Sequence, residues 1–169
     1  MKKSLMLAAL AIAAGQAVAA EPEYATVRME IDINRSAAEV WSKVGKYCDI
    51  SEWLGLECKI VSGDGGIGTV RSLAGGRVLE ILIGKTDLSY GYTQPVREGQ
   101  FYNLYHGFME AKPVTNKTSK LVYTLMLDVS DKPDQAAKDA DLARRRASFE
   151  PALKKMKAIA EGTAAPAAK

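Results

Sequence analysis

Residues that bind metals or act as strong nucleophiles are scarce in this 169-residue chain. It has one histidine, His106, and two cysteines, Cys48 and Cys58. These residues lack the clustered ligand spacing that a zinc site needs. The sequence also contains no evident Ser–His–Asp arrangement or nucleophile elbow. We therefore predict neither a metal nor a cofactor, and a zinc site is the weaker alternative to a disulfide between the two cysteines.

Long hydrophobic runs are lacking after residue 20, so nothing in the rest of the chain is apolar enough to span a bilayer. Residues 1–20 combine two lysines, an apolar run and small residues at the end, which is the pattern of a cleaved secretory signal peptide. A membrane anchor is the alternative, although an alanine-rich run spans a membrane poorly. We predict a signal peptide at 1–20, a domain at 21–161 and a disordered tail at 162–169, in a periplasmic or secreted protein.

The chain also lacks a large excess of one charge sign. Its formal charge of +3 falls to +1 when Lys2 and Lys3 leave with the signal peptide. Arg144, Arg145 and Arg146 are consecutive, so on a helix they fan around the axis instead of forming one edge that follows phosphates. We therefore predict no nucleic-acid partner. In an oxidising compartment the two cysteines are expected to pair, and closing a loop of about ten residues would stabilise the fold by about 2–3 kcal/mol.

Alternation of apolar and polar side chains predicts mostly strands. Ser36 and Glu39 have the spacing of a capping box, which opens a short helix that ends near Gly45. Pro133 leads into a long helical pattern with one apolar stripe. Successive strands with short connections imply an antiparallel meander that one long helix covers. The predicted order is a strand at 27–33, short helices at 36–45 and 49–54, strands at 56–61, 69–73, 77–83, 87–93, 101–112 and 121–129, and the long helix.

A series of short motifs follows the first predicted strand. They are Val40-Trp41, Val44-Gly45, Tyr47-Cys48, Trp53, Cys58, the stretch from Gly66 to Arg71, Gly75-Gly76 and Glu80. Their order and spacing resemble the SRPBCC superfamily, which includes START, Bet v 1-like and polyketide cyclase/dehydrase and lipid transport proteins, and among these the small exported bacterial members. The resemblance covers about residues 24–161. It implies an α+β helix-grip fold, in which a curved antiparallel sheet of about seven strands wraps around a long C-terminal helix and encloses an apolar cavity.

Two motifs restrict the functional interpretation of this sequence: the residues after Trp53 and the glycine-rich segment at 63–68. Relatives often have His-Pro after the second tryptophan, whereas here Leu-Gly-Leu-Glu follows Trp53, so no role of that histidine can be transferred. Residues 63–68 match the G-x-G-x-x-G pattern of dinucleotide sites, but the residues after them alternate as a strand does. We therefore interpret this segment as a hairpin turn.

The candidate ligand-binding residues come from the inward faces of the predicted strands and of the long helix, and for the strand at 77–83 it is the family resemblance that implies an inward-facing Glu80. Tyrosine offers flat apolar area and one hydrogen bond, so a ring of phenols suits an aromatic or lipid-like ligand. Core filling by the same tyrosines is the alternative. In the strand at 101–112 the pattern barely separates the two faces, and we favour the face of Tyr105 over that of His106 as the inner one. The candidates are Arg71, Glu80, Tyr90, Tyr92, Tyr105, Tyr123, Phe149, Leu153 and Met156, with an Arg71–Glu80 pair among them.

Two functions fit these residues. The first is periplasmic binding or carriage of a hydrophobic small molecule. The alternative is a cofactor-independent enzyme of the cyclase, dehydratase or lyase type acting on an aromatic or polyketide-like substrate. There Glu80, Tyr105 or His106 would serve as general acid or base. A protein-interaction module is less favoured, since no large exposed apolar patch is indicated. The oligomeric state is left open.

Overall fold

The computed structural model describes residues 21–96 and 104–164. The predicted signal peptide, the first three residues of the strand predicted at 101–112, and residues 165–169 of the predicted tail lie outside these ranges. The elements in chain order are β1 (Tyr24–Ile33), α1 (Ala37–Val44), α2 (Ile50–Leu54), β2 (Cys58–Ser62), β3 (Val70–Leu73), β4 (Val78–Thr86), β5 (Ser89–Thr93), β6 (Tyr105–Pro113), β7 (Ser119–Asp128) and α3 (Gln135–Glu161). The predicted order of elements is confirmed.

The strands form one seven-stranded antiparallel sheet in the order β1-β7-β6-β5-β4-β3-β2. Every neighbouring pair except β1–β7 is consecutive in the chain, as a meander requires. Alternation along β7 places Leu121, Tyr123, Leu125 and Leu127 in the core. These residues are the predicted inner set, so the period of two identified the buried face of this strand correctly.

The first helix begins with the predicted capping box. The Ser36 hydroxyl accepts from the Glu39 backbone N–H at 3.3 Å, and the Glu39 carboxylate accepts from the Ser36 N–H at 3.0 Å. This capping box satisfies two amides that an isolated helix end leaves free. α1 ends at Val44, and Gly45 follows as its C-cap, where the Trp41 ring lies against the backbone and leaves no room for a Cβ atom. α1 and α2 thus form a compact link between β1 and β2.

The long helix α3 packs against β1, α1 and α2. It buries one side, which carries Phe149, Leu153 and Met156. Two basic side chains from the first part of the chain donate hydrogen bonds to backbone carbonyls at its C-terminal end. Lys43 donates to the carbonyl of Ala160 at 3.0 Å, and Arg35 donates to the carbonyl of Glu161. Positive charge at this end of a helix is favourable, so the C-terminal end of α3 is attached to α1 and to the residue that precedes its cap.

None of the helices in the described part of the chain is both long and apolar enough to cross a membrane.

Candidate functional site

A buried ion pair forms where β3 and β4 pair. The register sets Arg71 directly opposite Glu80, so both side chains point to the inner face. Arg71 Nε donates to Glu80 Oε2 at 2.8 Å, and Nη2 lies 2.6 Å from the same oxygen. The other carboxylate oxygen, Oε1, accepts from Gln94 at 3.2 Å. The predicted contact between Arg71 and Glu80 therefore exists, and both carboxylate oxygens of Glu80 are occupied.

Aromatic rings enclose the guanidinium of Arg71. Its central carbon lies 4.1 Å from the ring centroid of Tyr47, 5.0 Å from that of Tyr92 and 5.7 Å from that of Tyr90. Nη1 also donates to the backbone carbonyl of Tyr47, which ties the link between α1 and α2 to the sheet. Burial works against the charge, but Tyr90 and Glu80 favour it, and the pKa of Arg71 is raised.

Three of the predicted phenols form a contact chain deeper in the interior. The hydroxyls of Tyr92 and Tyr123 lie 2.8 Å apart and share a hydrogen bond. The Tyr105 ring is 6.5 Å from that of Tyr92, and the Phe149 ring is 4.8 Å from that of Tyr123. Burial raises the pKa of Tyr92 and of Tyr123 well above 10. These side chains are neutral at ordinary pH and packed against one another.

A pocket opens between the α1–α2 link and strands β2, β4 and β5. Its volume is about 460 Å³. Of the predicted ligand-binding residues, Tyr90 lines this pocket. Lysine and aspartate side chains stand among apolar ones. The residues that define its walls are Trp41, Tyr47, Cys48, Ile60, Leu82 and Tyr90, with Lys46, Asp64 and Lys85 as the charged members.

Two irregularities in the strands bring side chains to this pocket. The register between β4 and β5 shifts between Leu82 and Gly84, after which Lys85 stands opposite Tyr90. A bulge adds one residue to a strand and so changes which side chains share a face. Because of this shift Lys85 lies on the same side as Leu82, three positions earlier. A similar shift follows Ile60 in β2, and Ile60 stands opposite Arg71.

A disulfide fixes the wall that the α1–α2 link provides. Cys48 and Cys58 are bonded, with their Cα atoms 5.5 Å apart. The bond joins the link to the first residue of β2, and Cys48 itself lines the pocket. The cysteines are therefore not available as zinc ligands. Within residues 21–96 and 104–164, no three His, Cys, Asp or Glu side chains gather as a metal site would require.

The structure separates His106 from the other candidate catalytic residues. Tyr105 is buried on the inner face, where the Arg145 guanidinium lies 5.0 Å from its ring. His106 is the next residue along β6, so its side chain projects from the opposite face, next to Phe108. Tyr105 and Glu80 thus belong to the interior, whereas His106 shares no face with them.

Sequence reasoning missed Tyr47, which contributes to the pocket and to the ring enclosure of Arg71. The residue lies between two helices, where no periodicity assigns a face. The signal that could have found it is its neighbour Cys48, since the disulfide to Cys58 brings this link to the sheet.

Comparisons with known proteins agree with this architecture. A family model described as polyketide cyclase/dehydrase and lipid transport matches residues 24–161. The aromatase/cyclase Zhui from Streptomyces sp. R1128 is similar in structure, with 17% identity, a TM-score of 0.64 and coverage of 86% of this chain and 98% of that chain. A truncated norcoclaurine synthase from Thalictrum flavum has 15% identity, a TM-score of 0.60 and coverage of 81% and 93%. A protein from Thermobifida fusca has 20% identity, a TM-score of 0.64 and coverage of 82% and 94%.

A search among curated proteins finds no significant match. At identities of 15–20% the structural likenesses show the fold alone, which is the predicted helix-grip fold. The family model covers nearly all the described residues. The chain therefore belongs to the polyketide cyclase/dehydrase and lipid transport family of the SRPBCC superfamily.

Proposed function

We propose that this protein binds a hydrophobic small molecule, aromatic or lipid-like, in the pocket between the α1–α2 link and the sheet. The observation that carries the proposal is a cavity of about 460 Å³ whose walls are largely the apolar and aromatic side chains of Trp41, Tyr47, Leu82 and Tyr90. Ligand sites are typically about 300–1,000 Å³ and combine apolar walls with a few polar groups. The family's description, which includes lipid transport, supports the same class of ligand.

Burial of apolar ligand surface would drive the binding. Each Å² removed from water contributes roughly 25 cal/mol, before the cost of association is subtracted. The disulfide and the contact of Arg71 with the Tyr47 carbonyl hold one wall in place without ligand. A preformed wall lowers the ordering cost of binding.

A pair of variants on one strand tests this proposal. Ile60 lines the pocket, whereas the adjacent Val61 does not, and both are about half exposed. We expect Ile60→Glu to weaken binding of the uncharged fluorescent probe N-phenyl-1-naphthylamine by about tenfold or more, because a charge then stands among apolar groups. Val61→Glu should bind the probe as the unmodified protein does. Equal affinities for the two variants, or no binding by the unmodified protein, would argue against this pocket.

We also propose that the protein acts in the periplasm or outside the cell, after removal of residues 1–20. The Cys48–Cys58 disulfide supports this location, because disulfides persist in oxidising compartments. Mass spectrometry of the protein from the periplasmic fraction of its own source tests the proposal. The expected N-terminus is Glu21, or Ala20 if cleavage occurs after Ala19, and native spectra of the same sample would reveal a co-purifying ligand. Recovery of the uncleaved chain would contradict it.

Catalysis without a cofactor is the second candidate function. Glu80 lies one layer below the pocket, because its partner Arg71 contacts the pocket-lining rings of Tyr47 and Tyr90. Two proteins of similar structure are named as enzymes, an aromatase/cyclase and a norcoclaurine synthase. A general acid or base typically contributes a factor of about 10²–10⁴ to the rate. If Glu80 has this role, Glu80→Gln should lose about that much turnover of aromatic or polyketide-like ketones and keep its affinity for the naphthylamine probe. Unchanged turnover would leave Glu80 a structural partner of Arg71.

A further inference from the structure

The two edges of the sheet differ in how their backbone groups are covered. An open strand edge offers free N–H and C=O groups to another chain, and proteins usually cover or blunt it. At the β1 edge, the Arg28 carbonyl accepts a hydrogen bond from Arg146 of α3 at 3.3 Å. The Asp32 carbonyl accepts another from Lys157 of α3 at 2.6 Å. Side chains of the long helix therefore occupy carbonyls of β1.

β2 forms the other edge, and its backbone is open. The Ala74 N–H donates to the Glu57 carbonyl at 3.0 Å, so position 57 faces β3. Backbone groups alternate in direction along a paired strand, so those of Cys58 and Ile60 point away from the sheet. In the part of the chain that the structure describes, no loop or side chain is hydrogen-bonded to them.

The neighbouring α1–α2 link leaves this edge accessible. Arg71 of β3 donates to the Tyr47 carbonyl, so the link lies over the inner face of the sheet. Ile60 is 46% exposed, and the Lys59 side chain is 71% exposed. The register shift in β2 comes after Ile60, which leaves the strand regular from Cys58 to that residue. A second strand can therefore reach the open backbone groups.

We propose that β2 is an interface at which two copies of this chain pair antiparallel and join their sheets edge to edge. The two-fold axis lies beside Cys58, whose N–H and C=O bond to those of Cys58 in the second copy. Ile60 then stands opposite Leu56 of the second copy, on the same face of the joined sheet. This inference goes beyond the proposed binding function and does not depend on it.

The charges beside Cys58 select this register and this partner. Glu57 and Lys59 lie on one face of the strand, where they form an exposed ion pair at 2.7 Å. In the proposed dimer each Lys59 stands opposite Glu57 of the other copy, and opposite charges in such positions stabilise strand pairing. A lysine on an edge strand otherwise opposes pairing with a foreign strand. A register centred on Ile60 would set each Lys59 opposite Val61 and would pair no charges.

The dimer should be weak and depend on concentration. A contact along one short strand buries less than the roughly 1,200 Å² at which stable interfaces begin. Sedimentation equilibrium of the exported protein, from about 1 µM to 1 mM, should therefore show a shift from monomer to dimer. Over the same range, hydrogen exchange at the Cys58 and Ile60 amides should slow, because both N–H groups become bonded. A protein that stays monomeric throughout would overturn the proposal.

Two charge reversals test the register. Lys59→Glu and Glu57→Lys each set like charges opposite one another, so each variant alone should dimerise about tenfold more weakly or less. An equimolar mixture of the two should recover a dimer, now of unlike chains, since every opposed pair again has opposite signs. Lys117→Glu, an exposed position in the β6–β7 turn, is the matched control for net charge and should dimerise as the unmodified protein does.

Three results would contradict this interface: full dimerisation by the single variants, no recovery in their mixture, or an equal loss in Lys117→Glu. Binding of N-phenyl-1-naphthylamine separates the interface from the binding function. Neither Glu57 nor Lys59 lines the pocket, so both variants should keep their affinity for this probe. Loss of the dimer with the probe still bound would leave the binding function intact.

Discussion

At the scale of single residues, the interior depends on one close approach between a ring and a backbone. Gly107 of β6 stands directly opposite Tyr92 of β5. A Cβ atom at position 107 would overlap the Tyr92 ring. The ring cannot easily move aside, because its hydroxyl is bonded to Tyr123 and the side chain is fully buried. The absence of a side chain at Gly107 thus makes room for one phenol of the core.

Replacement of this glycine is expected to be costly. Gly107→Ala should lower the free energy of unfolding by about 1–3 kcal/mol, the usual range for overpacking. Gly84→Ala is the matched control, since position 84 is also in a strand and has open space where the methyl group would go. Urea denaturation should show a clear loss for the first variant and little change or a small gain for the second. Equal midpoints would mean that the Tyr92 ring can shift.

The buried ion pair makes a second prediction at this scale. Arg71→Leu leaves the Glu80 carboxylate buried without its counterion, and such a change typically costs about 3–5 kcal/mol. The double variant Arg71→Leu/Glu80→Leu removes both charges and should be more stable than the single variant. Chemical denaturation of the two variants measures the difference. A double variant less stable than Arg71→Leu would show that Glu80 contributes through contacts other than this pair.

At the scale of elements, the disulfide and the Arg71 bond act on the same short segment. The link between α1 and α2 carries Tyr47 and Cys48, and it is attached to β2 by one covalent bond and to β3 by one hydrogen bond. A segment held at two points keeps its position against the sheet. This explains how a link without regular structure forms a wall of the pocket.

Loss of the disulfide should therefore affect both stability and binding. The loop closed by Cys48 and Cys58 spans ten residues, so Cys48→Ser/Cys58→Ser should lose about 2–3 kcal/mol of unfolding free energy. The probe affinity should also fall, because the wall is less well fixed. Thermal unfolding with and without reductant provides the control, since reductant should shift the unmodified protein and leave the double variant unchanged. Identical stabilities would show that the hydrogen bond from Arg71 suffices.

The elements also show where sequence reasoning succeeds and where it does not. Alternation identified the inner faces of β5 and β7, because a strand with one buried face repeats every two residues, and the family resemblance identified that of β4. It could not place Lys85, since one extra residue in a bulge reverses the alternation and leaves no local mark in the sequence. Tyr47 escaped for a related reason, because a link between two short helices has no period. Much of the pocket comes from such irregular positions.

At the scale of the whole molecule, the buried phenols are expected to make the folded protein less stable at alkaline pH. Burial raises the pKa of Tyr90, Tyr92, Tyr105 and Tyr123 above the ordinary value of 10.0. The unfolded chain therefore loses these protons at lower pH than the folded protein does. Each ionisation in the unfolded chain favours unfolding, so the contribution is fully present below about pH 10 and is lost as pH rises further.

The free energy of unfolding should fall steeply above about pH 10. Each buried tyrosine lowers the free energy of unfolding by about 1.4 kcal/mol for every pH unit above 10, until its folded-state pKa is reached. Tyrosinate absorbance near 295 nm and circular dichroism, followed together from about pH 9 to 12.5, should change in one cooperative step for the buried phenols. Gradual ionisation of all tyrosines at about pH 10, with the fold intact, would contradict the burial described above.

The position of β1 in the sheet has a consequence for folding. Within the sheet, β1 pairs with β7 alone, so Ile33 meets Ser119, 86 residues later, and Tyr24 meets Asp128, 104 residues later. Contacts between such distant residues form slowly, because a long loop must close first. Val27 and Met29 of β1 pair with Leu125 and Tyr123, so β1 has no strand partner in the sheet until β7 is available. The strands from β2 to β7 pair in chain order, so the first strand is expected to be among the last to be paired.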